Sequence, residues 1–555
     1  ALGPAAGWEV DFSTDAKRWH EMTGRDKGLA LLGVVLKLST ILLSLYAFVC
    51  SLSFLASGFR LVAGRQAGQI FRNSEVFNNP IAGVLVGVFV TVLVQSSSTS
   101  TSIVITMVGA SLLTTEQAIP LIMGANIGTS VTSTIVALTQ SADPAEFRRA
   151  FAAATVHDMF NFCSVAVLLP IEAAFGYLNR LSKALWDATS AGLGDADKPP
   201  DILKVVTKPF TNLVMSVDKK VITAIATAET QADLDALEGE RILKHLFGWV
   251  KGDVSDGAAG AIVLVFALAI LCTTLFLVVC TLKSLLKGRI AAWLHTSVNG
   301  TVPDLRCGAR TIPLGWLSGY LAMAAGVLLT ICVQSSSITT SALTPLVGVG
   351  VISVDRMYPT VLGANIGTCV TGVLAALAVD GEKLEDTLRV AYAHLCFNVT
   401  GVFIWYVVWP LRAVPINAAK FLGNTTARYR WFAFAYLLLC FFAVPAFFFA
   451  LSIASSSVCY GVAAVAVSAA LLAALVHRLQ TTRPHLLPAK LRDWSFLPRW
   501  MRSLEPFDRI VCARLRCASC ARCATARSIA TAQAGDLEIA AVRLGAASVS
   551  LDTRI

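Results

Sequence analysis

The stretch QSSSTSTS at residues 95–102, with GANIGTSVT at 124–132, returns later in the chain as QSSSITTS at 334–341 and GANIGTCVT at 363–371. The copies align without a gap at an offset of 239 residues, and 17 of the 40 aligned positions are identical. Most identities are Gln, Ser, Thr, Asn and Gly, which an apolar composition alone does not produce. The chain therefore contains an internal repeat, and this repeat decides the fold.

The repeat extends beyond these motifs. His157 matches His394 at an offset of 237 residues, which fits a two-residue length difference in a connecting loop. We expect repeat 1 to span residues 29–178 and repeat 2 to span 259–412.

The composition surrounding the repeats is that of a membrane protein. Of 555 residues, 55% are hydrophobic and 14% are charged, whereas a soluble protein has about 45–50% and about 25%. This argues against a soluble enzyme and predicts an all-α polytopic membrane protein. Twelve apolar segments are expected, at 29–54, 81–95, 100–113, 118–139, 151–178, 259–286, 314–333, 338–353, 357–378, 388–412, 431–453 and 458–478.

Two of these segments, 100–113 and 338–353, are too short for a straight crossing and are predicted to be half-helices or re-entrant pieces. With an external linker and a cytoplasmic N-terminus, each repeat crosses the membrane an odd number of times. The two repeats would then have inverted topology. That arrangement is typical of secondary transporters whose site lies at the membrane midplane.

Charge placement predicts orientation and excludes one class of function. The net charge is +10, but residues 477–555 alone carry 13 Lys/Arg and six Asp/Glu, so the excess sits mainly in a tail and does not indicate nucleic-acid binding. The linker from 180 to 258 has 10 basic and 12 acidic residues, which favours the outside. The expected divisions are a cytoplasmic N-terminus (1–28), repeat 1 (29–178), an extracellular linker (179–258), repeat 2 (259–412), two additional helices (413–478) and a basic cytoplasmic tail (479–555).

The repeated motifs have the chemistry of an ion site. Hydroxyls and amides are costly in a low-dielectric interior unless they are paired. Backbone N–H groups at a broken helix suit an anion, and hydroxyl and amide oxygens suit a hard cation such as sodium. A Ser/Thr-rich stretch can also hold helices together through hydrogen bonds, and Gly124 and Gly128 have the spacing of a helix–helix contact. An ion site and a packing contact therefore both remain possible interpretations of the motifs.

In these features the chain resembles the type II sodium-dependent phosphate cotransporter family. The resemblance rests on the paired QSSS and GANIGT motifs, and it covers roughly residues 30 to 510. The further stretches that carry it are FRRAFAAATVHDMFN (147–161), PDILKVVTKPFTNLVMSVDKKVIT (200–223), YRWFAFAYLLLCF (429–441) and FLPRWMRSLEPFD (496–508).

The resemblance implies two sets of site residues. The phosphate set is Gln95, Ser96, Ser97, Ser98, Thr99, Asn126, Ser336, Ser337 and Asn365. The sodium set comprises Gln334, Ser335, Thr368 and Thr371 for one ion, Thr134, Gln140, Asp143 and Asn161 for another, and Asp158. Sodium is a co-substrate, and no cofactor is expected.

Asp158 stands out on physical grounds as well. It lies in an otherwise uncharged run from 150 to 169, and a carboxylate inside a membrane is a functional hypothesis by default. The resemblance implies that an aspartate here marks electrogenic members of the family. The alternative for Asp158 is a structural pairing with His157 or Arg149. For Asp143, the alternative of an ordinary solvated carboxylate is stronger than it is for Asp158.

The tail carries two weaker signals. Cys512, Cys517, Cys520 and Cys523 lie among arginines, which favours S-palmitoylation next to anionic lipid over a zinc site. Thr553, Arg554 and Ile555 have the Ser/Thr-x-apolar form of a ligand for a PDZ-domain scaffold.

The sequence thus predicts a non-enzymatic, electrogenic sodium–phosphate symporter working by alternating access. We expect a multi-pass plasma-membrane protein, apical in a polarised epithelium, with both termini cytoplasmic. Physics alone leaves open a symporter of another oxyanion or a carboxylate. A lipid-phosphate enzyme is disfavoured because HExxH, GxSxG and an arranged Ser/His/Asp set are missing, and a receptor or scaffold would not need twinned polar motifs.

Overall fold

The computed structural model describes the greater part of the chain, and every structural statement refers to that part. The described residues are 23–72, 77–109, 112–190, 209–228, 231–238, 240–246, 255–285, 299–300, 305–307, 310–312, 314–377, 383–488, 491–495, 497–498 and 503–514. They are mostly helical, with two small antiparallel strand pairs.

The first half of the chain consists of seven helices. They are α1 (Gly24–Arg72), α2 (Pro80–Val94), α3 (Ser97–Gly109), α4 (Thr115–Gly128), α5 (Val131–Leu138), α6 (Pro144–Phe175) and α7 (Tyr177–Thr189). Local capping explains several starts: Asn79 and Asp143 precede Pro80 and Pro144, and each accepts a hydrogen bond from a backbone N–H in the first turn. Thr114 forms a capping box at the start of α4.

The linker contains described structure of its own. Its elements are β1 (Met215–Val217), α8 (Lys219–Thr227), α9 (Gln231–Glu238) and β2 (Leu243–Leu246). The strands pair antiparallel, and Arg65 of α1 donates hydrogen bonds to the carbonyls of Leu237 (3.1 Å) and Glu240 (2.6 Å). The linker is therefore a folded module docked on α1.

The second half follows the same plan. Its elements are α10 (Asp256–Leu285), β3 (Leu305–Cys307), β4 (Arg310–Ile312), α11 (Leu317–Val333), α12 (Ser336–Val349), α13 (Val354–Ala376), α14 (Leu384–Val402), α15 (Ala413–Arg428), α16 (Phe432–Leu438), α17 (Val444–Ala454), α18 (Ser456–Thr482) and α19 (Glu505–Arg514). Wide π-type turns occupy Phe403–Val407 and Leu439–Ala443.

Within the described ranges, eight helices are long and apolar enough to cross a membrane. They are Leu31–Arg65, Thr115–Leu138, Pro144–Phe175, Asp256–Val278, Val354–Ala376, Leu384–Val407, Phe432–Ser452 and Ser457–Gln480. Two shorter apolar helices, α2 and α11, accompany them. The serine-rich helices α3 and α12 have 13 and 14 residues, which is below the roughly 17–25 residues that a straight crossing needs.

Equivalent packing recurs in the two halves. Helix α2 lies on α4, as α11 lies on α13, and the first helices of the halves, α1 and α10, pack together. Helix α6 reaches across to α12 and α13, while α14 reaches across to α3 and α4. Helices α6 and α14, which carry His157 and His394, thus connect the two halves.

The chain divides into two units. One lies within residues 7–462 and holds both repeats. The described residues from 463 onward belong to the other, where Gln480 donates a hydrogen bond to the carbonyl of Leu491 (2.8 Å).

Candidate functional site

Each QSSS motif breaks a helix at its glutamine. Gln95 ends α2 with φ 53° and ψ 33°, and Gln334 ends α11 with φ 57° and ψ 25°. Among the described residues these two alone are non-glycine with positive φ. The left-handed conformation costs a non-glycine residue about 1–2 kcal/mol in conformational energy. Residues strained in this way are frequent at functional sites. The helix break expected at both motifs is therefore present in both.

The first serine of each motif starts the next helix. Ser96 Oγ accepts a hydrogen bond from the Thr99 N–H (3.2 Å), and Ser335 Oγ accepts one from the Ile338 N–H (3.3 Å). Both serines therefore act as N-caps. The other first-turn N–H groups of a helix have no partner within that helix, so α3 and α12 each present donors and a positive dipole end.

The glutamine side chains make different contacts in the two repeats. Thr132 Oγ1 donates to Gln95 Oε1 at 2.8 Å. Thr371, the repeat-2 counterpart of Thr132, donates instead to the carbonyl of Thr368 (2.6 Å), and Thr368 donates to Ala364 (3.0 Å). The repeats thus differ in one polar contact at the position of the predicted sodium ligands.

The glycines of the GANIGT elements serve close helix packing. A Cβ atom on Gly124 would lie 1.9 Å from the Val84 carbonyl oxygen, and one on Gly363 would lie 1.9 Å from that of Met323. Helix α13 runs unbroken through its GANIGT element, whereas in repeat 1 α4 ends at Gly128. The packing interpretation therefore applies in both repeats. Only in the first is the helix interrupted, by a turn at Thr129 and Ser130 whose backbone stays right-handed.

The asparagines of these elements meet histidines of the opposite repeat. His157 Nε2 lies 2.6 Å from Asn365 Oδ1, and His394 Nε2 lies 3.3 Å from Asn126 Oδ1. All four side chains are buried. The structure thus brings the two repeated histidines to two of the predicted phosphate residues.

A second cross-repeat contact involves Ser337. Its hydroxyl lies 3.4 Å from the carbonyl oxygen of Thr129, at the end of the repeat-1 GANIGT element. Asn161, on α6, donates to the Asn126 carbonyl (2.9 Å) and accepts from Asn365 Nδ2 (3.3 Å). The two polar motifs therefore meet across the repeat interface.

Asp158 is completely buried, with 0% of its side chain exposed. Tyr436 Oη donates to its Oδ2 at 2.7 Å, while Oδ1 has no hydrogen-bond partner within the described ranges. Ser130, whose hydroxyl lies 3.2 Å from His157 Nδ1, is a further neighbour of the carboxylate. The repeat-2 position equivalent to Asp158 is Leu395, so this feature belongs to repeat 1.

The structure separates two of the four residues expected to bind a second sodium ion, Asp143 and Asn161. Asp143 is exposed and caps α6, accepting from the N–H groups of Ala145 (2.7 Å) and Glu146 (3.1 Å). Asn161 lies 17 residues into α6, about 26 Å away at 1.5 Å per residue. One ion cannot touch both side chains, which corrects the four-residue site.

The remaining members of that set have different local surroundings. Thr134 Oγ1 donates to the Ser130 carbonyl (3.1 Å) inside its own helix region. Gln140 is buried, and neither of its amide atoms has a partner in the described part of the chain. It faces Gly348 of α12, where a Cβ would lie 1.8 Å from its Oε1. Gln140 is therefore at the repeat interface.

Sequence reasoning missed Tyr436. The available signal was a hydroxyl-bearing ring in the apolar run 431–453, because a buried tyrosine hydroxyl usually has a partner.

Of the tail residues, Cys517, Cys520 and Cys523 and the terminal Thr553, Arg554 and Ile555 lie outside the described residues, as does the side chain of Cys512.

Comparison with known proteins gives consistent matches. The family model described as "Na+/Pi-cotransporter" matches residues 47–183 and 317–421. The chain is 44% identical to sodium-dependent phosphate transport protein 2B of Homo sapiens, over 93% of this chain and 80% of that protein. It is 45% identical to protein 2A of Ovis aries (90% and 80%) and 45% identical to protein 2A of Rattus norvegicus (87% and 78%). No solved structure matches the chain significantly.

Proposed function

This chain belongs to the type II sodium-dependent phosphate cotransporter family, and from that premise we propose that it carries inorganic phosphate with sodium, electrogenically, by alternating access. The observation that carries the proposal is the pair of left-handed glutamines, Gln95 and Gln334. Each ends one helix directly before the serine that caps the next. Discontinuous helices at equivalent positions are the way transporters build a midplane site.

We assign phosphate to the two helix starts. Ser96, Ser97, Ser98 and Thr99 begin α3, and Ser336 and Ser337 begin α12. Helix N-termini offer N–H donors and a positive dipole end to phosphate oxygens. Gln95 adds an amide next to α3, and Asn126 and Asn365 supply the neighbouring cross-repeat contacts.

We assign one sodium ion to Gln334, Ser335, Thr368 and Thr371. The parallel run of α11 and α13 supports this set, because Gly363 meets Met323 and Gly367 meets Thr330, one turn before Gln334. In repeat 1 the equivalent residues Gln95 and Thr132 are in direct contact. Neutral oxygens of this kind suit a hard cation.

We assign the net charge movement to Asp158. A fixed negative charge inside the membrane lets one more sodium ion travel with the phosphate. The free Oδ1 of a fully buried carboxylate supports this role, because burying a charge without compensation is costly. Asn161, one helical turn later on α6, offers a second oxygen nearby.

We further propose that the repeats have inverted topology within 12 apolar segments, with both termini cytoplasmic and the linker outside, at the plasma membrane. The recurring α2–α4 and α11–α13 packing supports two equivalent repeats. The basic tail favours the cytoplasmic side and anionic lipid. A PDZ scaffold at the C-terminus and palmitoylated tail cysteines complete the proposal.

One experiment tests the function. Cells or liposomes containing the protein are assayed for radiolabelled phosphate uptake with sodium or choline outside, while current is recorded. Sodium-dependent uptake with inward current is expected, and the membrane potential contributes about 2.3 kcal/mol per charge per 100 mV. Phosphate uptake that is as fast in choline as in sodium contradicts symport. Uptake of sulfate or arsenate at the rate of phosphate contradicts phosphate selectivity.

A further inference from the structure

Tyr436 comes from outside both repeats and meets the buried carboxylate of repeat 1. It lies on α16, and its hydroxyl donates a 2.7 Å hydrogen bond to Oδ2 of Asp158 on α6. Tyr436 is 5% exposed and Asp158 is 0% exposed. Oδ1 of Asp158 has no hydrogen bond in the described portion of the chain, and the Ser130 hydroxyl is the other polar neighbour of the carboxylate.

The position of the tyrosine ring is fixed by packing. The ring lies edge-on to Phe151 of α6 at 5.7 Å and to Phe441 at 5.9 Å between centroids. Phe441 sits in the wide turn Leu439–Ala443, directly after α16, and such π-type turns occur frequently at functional sites. The hydroxyl is therefore held at one place relative to α6.

The hydrogen bond gives the two carboxylate oxygens different roles. A hydrogen bond to a charged acceptor is stronger than one between neutral groups. Oδ2 is occupied by the tyrosine, so the carboxylate cannot rotate without losing that bond. Oδ1 then remains the oxygen available to a cation, which takes oxygen ligands.

We propose that Tyr436 is a positioning residue for the coupling ion, fixing Asp158 so that Oδ1 receives sodium. The inference rests on the charge-carrying role proposed for Asp158. The helices that follow repeat 2 therefore contribute a residue to the ion site of repeat 1. Repeat 2 has Leu395 at the position equivalent to Asp158, so it has no carboxylate for a tyrosine to hold.

The test is Tyr436→Phe, which removes only the hydroxyl. We expect the sodium concentration for half-maximal phosphate-induced current to rise about tenfold or more, while the maximal rate at saturating sodium changes much less. A general packing defect would instead lower the maximal rate and leave the sodium dependence in place.

Tyr358→Phe is the matched control. Tyr358 is also buried, and its hydroxyl donates to the Trp405 carbonyl at 3.0 Å, so its loss should leave the sodium dependence unchanged. In an Asp158→Gly background, where sodium-dependent radiolabelled phosphate uptake replaces current as the readout, Tyr436→Phe should add no further shift in the half-maximal sodium concentration. An unchanged half-maximal sodium concentration in Tyr436→Phe, or an equal shift in the Asp158→Gly background, overturns the proposal.

A second measurement does not depend on delivery to the cell surface. Sodium, compared with choline, should raise the Tm of the purified wild-type protein more than that of purified Tyr436→Phe. Equal sodium-induced rises overturn the inference while leaving symport intact. If the wild type shows no sodium-dependent phosphate uptake, the proposed function itself fails, and this inference fails with it.

Discussion

Gly124→Ala tests the close approach of α2 and α4. The added Cβ would lie 1.9 Å from the Val84 carbonyl oxygen, whereas ordinary contact begins near 3.4 Å. The helices would have to separate by about 1.5 Å, and a close-packed interior does not absorb such a shift locally. We expect a loss of about 3 kcal/mol in the free energy of unfolding, with α3 displaced because it follows α2 directly.

The measurement is thermal unfolding of the purified protein in detergent, together with sodium-dependent phosphate uptake normalised to surface protein. Gly363→Ala should behave like Gly124→Ala, because its Cβ would also lie 1.9 Å from a carbonyl oxygen, that of Met323. Gly33→Ala is the matched control, since no atom lies within 4 Å of a Cβ on that residue of α1.

Gly33→Ala should be neutral or slightly stabilising, because alanine has the higher helix propensity by about 1 kcal/mol. If Gly124→Ala is as stable as Gly33→Ala, the close approach of the helices is not real. If Gly363→Ala is harmless while Gly124→Ala is damaging, the two repeats are not equivalent in packing.

Three further predictions concern single side chains. Asp158→Gly should abolish phosphate-induced current while sparing part of the radiolabelled uptake; retained current would remove its charge-carrying role. Ser98→Ala and Ser337→Ala should each reduce uptake at low phosphate about tenfold, and normal uptake in both would refute the twin-helix site. Lys244, through a hydrogen bond and an ion pair at 2.8 Å, lowers the pKa of Asp218 below its ordinary 3.8. The stabilisation that Asp218→Asn removes should therefore be present at neutral pH and disappear only as pH falls through the lowered pKa, as measured by hydrogen exchange in β1 and β2.

Much of the helical layout follows from the sequence because apolar length and capping residues are local signals. The break at each QSSS motif was predictable, since several hydroxyls and an amide in succession do not suit an uninterrupted membrane helix. The left-handed backbone at Gln95 and Gln334 was not. That conformation depends on the preceding helix ending one residue before the next N-cap, which a pattern of residue types does not specify.

Contacts between repeats were harder to foresee. The pairing of His157 with Asn365 and of His394 with Asn126 joins residues more than 200 positions apart, so no local pattern encodes it. The separation of Asp143 from Asn161 could have been derived from the sequence. A helix starting at Pro144 places Asn161 about 26 Å along its axis, and an aspartate before a proline is a typical cap.

The crossed histidine–asparagine pairs have a consequence for the ancestry of the chain. Each repeat supplies the histidine that its partner's asparagine needs. A half-length chain with one repeat would keep one histidine and one asparagine unmatched, and a second copy of the same chain would match both. The contacts have the reciprocity of an isologous interface, here between two repeats of one polypeptide. Substitutions at either end of a pair therefore have to be tolerated by both halves at once.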